Sequence, residues 1–238
     1  LGYVYLIRHG QAGSRENYDL LSELGREQAR LLGRHLVEHG IEFSAIYSGD
    51  MCRQRQTAET TGELLAEAGL APKEIISDRG WNEFSLISVY RAIAGRMRAE
   101  SEEFARDFEE MQRVIMNDPH ATGGATGRCD AAVVRAWIEN RYPDYEGESW
   151  IDFKSRIHEA AKSIRHDDPQ KAIAVFTSAT PVAINAAAAL GLPDEKLLNI
   201  LGVIYNSSLT IIRVRNGDSR LLSFNATPHL APARLTFR

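Results

Sequence analysis

The sequence predicts an α/β fold. It reads as a three-layer sandwich with a mostly parallel sheet, an antiparallel edge hairpin, and a helical cap insertion over about residues 85–146 of a single domain spanning 1–238. Three observations carry this. Compact apolar runs rich in β-formers (residues 3–7, 43–47 and 173–176) each stop at polar residues, as buried parallel strands do. Segments with helical spacing separate them, and strand–helix alternation builds a parallel sheet covered on both faces. Asn216-Gly217 lies between apolar residues 209–214 and 221–224, a strong hairpin signal.

In chain order, residues 3–7 form the first strand and run into Arg8-His9-Gly10. Ser22 opens a helix over 22–39 with Leu24, Leu31, Leu32, Leu36 and Val37 in phase, closed by Gly40. A second strand at 43–47 leads to a helix over 53–68, stopped by Gly69 and Pro72. Residues 88–117 keep helical phase through Val89, Ile93, Met97, Phe104, Phe108, Met111 and Ile115. Residues 118–128, rich in Gly and Thr, read as a mobile loop, and 131–141 as another helix. Ser149-Trp150-Ile151-Asp152 resembles a capping box opening a helix through Arg165. After the third strand, Pro181 suits the first position of a helix over 182–190.

Composition narrows the function classes. Net charge is 28 − 32 = −4, so no global field favours nucleic acid or an anionic membrane. Arginine supplies 23 of the 28 basic residues, leaving many planar forks available for phosphate. Cys52 and Cys129 are too few for a disulfide framework and lack metal-ligand spacing, which points to a reducing cytoplasm. No apolar run reaches the ~18 residues of a membrane span. The expected setting is a soluble cytoplasmic protein with no nucleic-acid or membrane partner, and any homodimer would pair through the sheet edge.

Ligands of open α/β sheets bind outside the carboxyl ends of strands. Those ends carry Arg8, His9 and Gly10; then residues 48–53 with Arg53; then Thr177, Ser178, Ala179 and Thr180, while residues 78–83 bring Glu83. Arginines, a histidine and a carboxyl group converging on one crevice suit phosphoryl transfer. Guanidinium forks match phosphate oxygens, neutral histidine is a nucleophile, and a carboxyl group can protonate the leaving oxygen. Neither metal nor cofactor is needed if the arginines stabilise the charge.

The stretch Tyr5-Leu6-Ile7-Arg8-His9-Gly10-Gln11 resembles the Arg-His-Gly signature of the histidine phosphatase (phosphoglycerate mutase-like) superfamily. Residues 21–29, residues 47–53 with Thr57-Ala58-Glu59, and Trp81-Asn82-Glu83-Phe84 are similar to further segments of that family. Gly147-Glu148-Ser149, Arg156 and the ending Phe224-Asn225 with His229-Leu230 also fit, collinearly over nearly the whole chain. The resemblance implies a metal-independent phosphomonoesterase acting on a small phosphorylated substrate. His9 would be the phosphorylated nucleophile, Arg8 and Arg53 the phosphoryl-binding arginines, and Glu83 the acid and then the base. Gln11 and the backbone of Ala179 would contact substrate, and the insertion after Glu83 would roof the pocket and choose the substrate.

The family usually has a second histidine where this chain has Ser178. A hydroxyl can still donate to phosphate, without charge. Ala12 replaces a usual hydroxyl residue, and one extra residue separates Ser48 from Arg53. Two alternatives stay open: a ligand-holding or regulatory protein with weak turnover, favoured by Ser178, and a phosphomutase. A serine-hydrolase reading of Ser178 lacks the Gly-x-Ser-x-Gly elbow. His35 and His39 lie four apart but read as a solvated helix face rather than a metal pair.

Overall fold

A computed structural model describes residues 2–13, 19–118, Ala121, 123–164, Asp168, 170–215 and 217–237. In chain order the elements are β1 (Gly2–Arg8), α1 (Glu23–Glu38), β2 (Phe43–Ser48), α2 (Cys52–Glu67), β3 (Ile75–Ser77), α3 (Leu86–Glu100), α4 (Glu102–Asn117) and α5 (Gly124–Ile138). They continue with α6 (Trp150–Ser163), β4 (Ala172–Thr177), α7 (Ala179–Leu190), α8 (Leu198–Leu201), β5 (Leu209–Arg215) and β6 (Asp218–Ala226). The chain divides into two compact units, Leu1–Glu83 with Arg156–Arg238, and Phe84–Ser155. Among the described residues no helix is long and apolar enough to cross a membrane.

The first unit is built on one six-stranded sheet in the order β3-β2-β4-β1-β5-β6. β3, β2, β4 and β1 run parallel, and β5 and β6 add an antiparallel edge. Every residue of β4 is buried, as a strand flanked on both edges and covered on both faces must be. On one face Ile7, Phe43, Ile46, Ala174 and Phe176 pack against Leu32 and Leu36 of α1 and Ala58 and Leu65 of α2. Each large side chain buried there contributes about 1.5–3 kcal/mol. Strand alternation sends Val4, Leu6, Ile173 and Val175 to the other face. α7 packs on β1, β5 and β6.

The loop leaving β1 is pressed onto the first turn of α1. A Cβ on Gly25 would lie 2.1 Å from the Gln11 carbonyl oxygen, and one on Gly10 would lie 2.4 Å from that of Gly25. Both obstacles are backbone and cannot rotate away. Gly25→Ala is expected to destabilise the fold by about 3 kcal/mol in urea unfolding, because overpacking forces backbone shifts. Gly95→Ala, inside α3 with open space around its Cβ, should instead stabilise by about 0.5–1 kcal/mol.

The second unit holds α3, α4 and α5 packed on one another, with the first residues of α6. Phe84 stacks on Trp137 at 4.4 Å between ring centroids, and Trp137 meets Trp150 edge-on at 5.4 Å. Arg128 forks onto Asp107 at 2.6 and 2.9 Å.

Several sequence-based expectations change. The segment 88–117 is two helices, because Ser101 takes an extended conformation that ends α3 and caps α4 through the Phe104 N–H. Met97 and Phe104 are seven apart, so the apolar phase runs through the break. Residues 124–128, expected to be a mobile loop, form the start of α5; Ala125, Thr126 and Cys129 are buried there, and packing overrides a weak local helix preference. α7 begins at Ala179, which places Pro181 in the first turn where its missing N–H costs nothing. β3 lies at the sheet edge, too short for its alternation to be read. The Ser149 cap forms, with the Asp152 N–H donating to Ser149 Oγ at 3.1 Å. Arg165 and Asn216, parts of the expected helix end and hairpin turn, lie outside the described residues.

Candidate active site

The sheet register brings the predicted strand ends together. Arg8 of β1 lies beside Thr177 of β4, and Ser48 of β2 lies beside Phe176. Just past these ends the His9 N–H donates to the Thr177 carbonyl at 2.9 Å, and the Gly49 N–H to that of Phe176 at 3.1 Å. The parallel core thus delivers three polar loops to one edge.

His9 is 2% exposed. Its Nδ1 sits 2.7 Å from the Gly10 carbonyl oxygen, which can only accept, so Nδ1 carries the proton. Nε2 is therefore unprotonated, and it accepts from Arg53 Nε at 3.1 Å. Burial first, then the charges of Arg53 and Arg8, push the imidazole pKa well below its ordinary 6.5. The ring is a neutral base with its lone pair aimed at a guanidinium. Asn206 Nδ2 and the Ser207 N–H donate to the His9 carbonyl and hold its backbone.

Arg8 and Arg53 are both buried. Arg8 Nη1 donates to the Ile204 carbonyl. Arg53 rises from the first turn of α2, and its Nη1 pairs with Asp19 Oδ1 at 3.0 Å. Asp19 Oδ2 accepts the Cys52 N–H at 3.1 Å, so one carboxylate holds both the arginine and the helix start. Arg55, its neighbour, is exposed.

Glu83 reaches the site from the turn Arg79–Trp81, and its Oε2 accepts the Thr180 N–H at 3.1 Å from the first turn of α7. Arg156 Nη1 donates to the carbonyls of Arg79, Gly80 and Asn82 at 3.0–3.1 Å, which clamps the turn that carries Glu83. Asn82 exchanges two hydrogen bonds with Asp50, tying that turn to the loop before Arg53. Ser178 is 1% exposed and sits at the N-terminal end of α7 without capping it. Ala179 opens the helix, so its N–H is among those that a helix leaves without an internal partner. The Gln11 side-chain oxygen accepts from Ser22 Oγ at 2.7 Å, which ties it to the α1 cap.

Sequence reasoning placed Thr180 and Asn82 near the site without their contacts to Glu83 and Asp50, and it missed Asp19 and above all Gln54. Gln54 is completely buried and donates through Nε2 to Ser178 Oγ at 2.8 Å and to the Trp81 carbonyl at 3.2 Å. No local signal marks it, since a glutamine in a helix reads as solvated surface.

Comparison with known sequences gives the site its context. The pattern of the histidine phosphatase superfamily (branch 1) matches residues 4–133 and 124–227. The chain belongs to this superfamily. The solved structure of Bacillus stearothermophilus YhfR is 22% identical with a TM-score of 0.65, covering 96% of this chain and 99% of that one. A phosphoserine phosphatase of Entamoeba histolytica in complex with 3-phosphoglyceric acid is 18% identical with a TM-score of 0.62, covering 97% and 100%. Both likenesses bear on the fold. The mitochondrial serine/threonine-protein phosphatase Pgam5 of Drosophila melanogaster is 23% identical over 151 residues, 62% of this chain and 44% of its own length. The chain thus spans less than half the length of that curated relative.

This superfamily member half-buries a further histidine. His229 Nε2 lies 2.9 Å from Ser207 Oγ, and burial, with the nearby His35, pushes its pKa down to about 4. Above pH 6.5 both states hold it neutral, so it adds no pH dependence. Below that, the unfolded histidine takes up a proton that the folded one refuses until about pH 4, so stability drains away across that interval. His9 acts in the same direction. The melting temperature is expected to fall on acidification from pH 6.5 to 4, and His229→Asn should flatten that decline; an unchanged slope would contradict the assignment.

Proposed function

We propose that the protein is a metal-independent phosphomonoesterase that hydrolyses a small phosphorylated substrate through a phosphohistidine at His9. The observation that carries this reading is the tautomer of His9: Nδ1–H is held by the Gly10 carbonyl, and the bare Nε2 faces Arg53. Nε2 attacks phosphorus while the bond to the ester oxygen breaks, and Glu83, entering protonated, gives its proton to that oxygen. Arg53 turns its N–H groups from Nε2 to the phosphoryl oxygens, and Arg8 adds a second positive charge. Glu83, now a carboxylate, takes a proton from water as the water oxygen attacks phosphorus. The N–P bond breaks, phosphate leaves, and His9 and Glu83 regain their starting states.

Turnover of a broad phosphomonoester panel in excess chelator tests the reading. Hydrolysis that survives chelation is the expected result. Turnover that disappears with chelator and returns with a divalent cation would contradict it. Phosphate binding without any turnover would favour the ligand-holding alternative and put Ser178 at its root.

A further inference from the structure

We propose that Gln54 is a positioning residue that turns the Ser178 hydroxyl proton toward the bound phosphoryl group, so that the two side chains work as one neutral donor. The proposal rests on the phosphoryl-transfer reading above. The Trp81 carbonyl accepts from Gln54 Nε2 at 3.2 Å, and a carbonyl oxygen can only accept, so it fixes which end of the amide faces it. The second hydrogen on the same nitrogen then points at Ser178 Oγ, 2.8 Å away. A hydroxyl that accepts from an amide keeps its own proton to donate. Among the described residues none accepts that proton from Ser178.

The surroundings support a functional reason for the amide. Gln54 Oε1 is buried with no hydrogen-bond partner among the described residues, a penalty that a methionine of similar shape would avoid. Its oxygen fits only because residue 49 is glycine: a Cβ there would lie 1.9 Å from it. Ser178 follows Thr177, whose carbonyl binds the His9 N–H, and precedes by two the Thr180 N–H that holds Glu83. Ser178 therefore lies in the chain between the residue that seats the nucleophile and the residue that holds the acid.

The test is calorimetric binding of inorganic phosphate to the full chain and to Gln54→Met, Ser178→Ala, the double variant and Gln54→Glu, with kcat and KM measured alongside. Gln54→Met and Ser178→Ala should each weaken phosphate by about three- to tenfold, the value of one neutral hydrogen bond. The double variant should bind no more weakly than Ser178→Ala, because Gln54 acts through that hydroxyl. Gln54→Glu places a carboxylate that takes the serine proton for itself; its affinity should fall further at neutral pH and recover on acidification. Gln54→Glu keeps the shape and carries the test if Gln54→Met does not fold. Losses that multiply independently in the double variant, or wild-type affinity in Gln54→Met, would overturn the positioning role while wild-type turnover leaves the reaction standing. A wild type that neither binds phosphate nor hydrolyses any ester would overturn both.

Discussion

His9→Ala is expected to lower kcat by about ten-thousandfold or more on every ester, the scale seen when a catalytic nucleophile is removed from a site that otherwise remains intact. The size follows from what the ring supplies. Its Nε2 lone pair is unprotonated at neutral pH, because burial and two guanidinium charges disfavour the imidazolium. No other described side chain in the cluster offers a comparable base to phosphorus. Phosphate binding should survive, since Arg8 and Arg53 stay in place, and removing the imidazole relieves Arg53 Nε of its present acceptor. KM should therefore change far less than kcat. Parallel loss of both would point to collapse of the site rather than loss of a nucleophile, and retained turnover would place the nucleophile elsewhere.

Glu83→Gln is the second large effect, and its dependence on the leaving group distinguishes a proton donor from a structural prop. Glutamine keeps the shape and can still accept the Thr180 N–H, but it can neither give nor take a proton. General acid catalysis contributes about 10²–10⁴-fold. Alkyl phosphates, whose alkoxide leaves poorly, should lose about a thousandfold within that range. Aryl phosphates with acidic phenols should lose much less in the first step and then stall, because the attacking water also needs Glu83 as its base. A burst of phenol followed by slow turnover is the expected trace. A uniform loss across leaving groups would assign Glu83 to positioning.

The sheet core was legible because each central strand is an apolar run that stops where the chain reaches the polar edge of the sheet. Arg8, His9 and Arg53 could be named as candidates from sequence for that reason and for their resemblance to a known family, and Glu83 for the resemblance. The links between them could not. Asp19 meets Arg53 across 34 positions, and Gln54 meets Ser178 across 124, distances over which sequence carries no pairing signal. Ser178 alone reads as a weakened histidine. Beside Gln54 it reads as half of a donor pair, an interpretation available only once α2 and α7 are placed. The break at Ser101 was hidden for the opposite reason: a seven-residue spacing keeps the apolar stripe of two separate helices in one phase.

Rapid quenching of steady-state turnover into alkali, followed by peptide mapping, would trap the covalent intermediate on which the mechanism turns. An N–P bond to histidine resists base and falls apart in acid, so a base-stable, acid-labile phosphoryl group is expected on the peptide that carries His9. The group should be attached at Nε2, appear within the first turnover and be missing from His9→Ala. Robust turnover with no phosphorylated enzyme at any quench time, or a phosphoryl group on another residue, would contradict it.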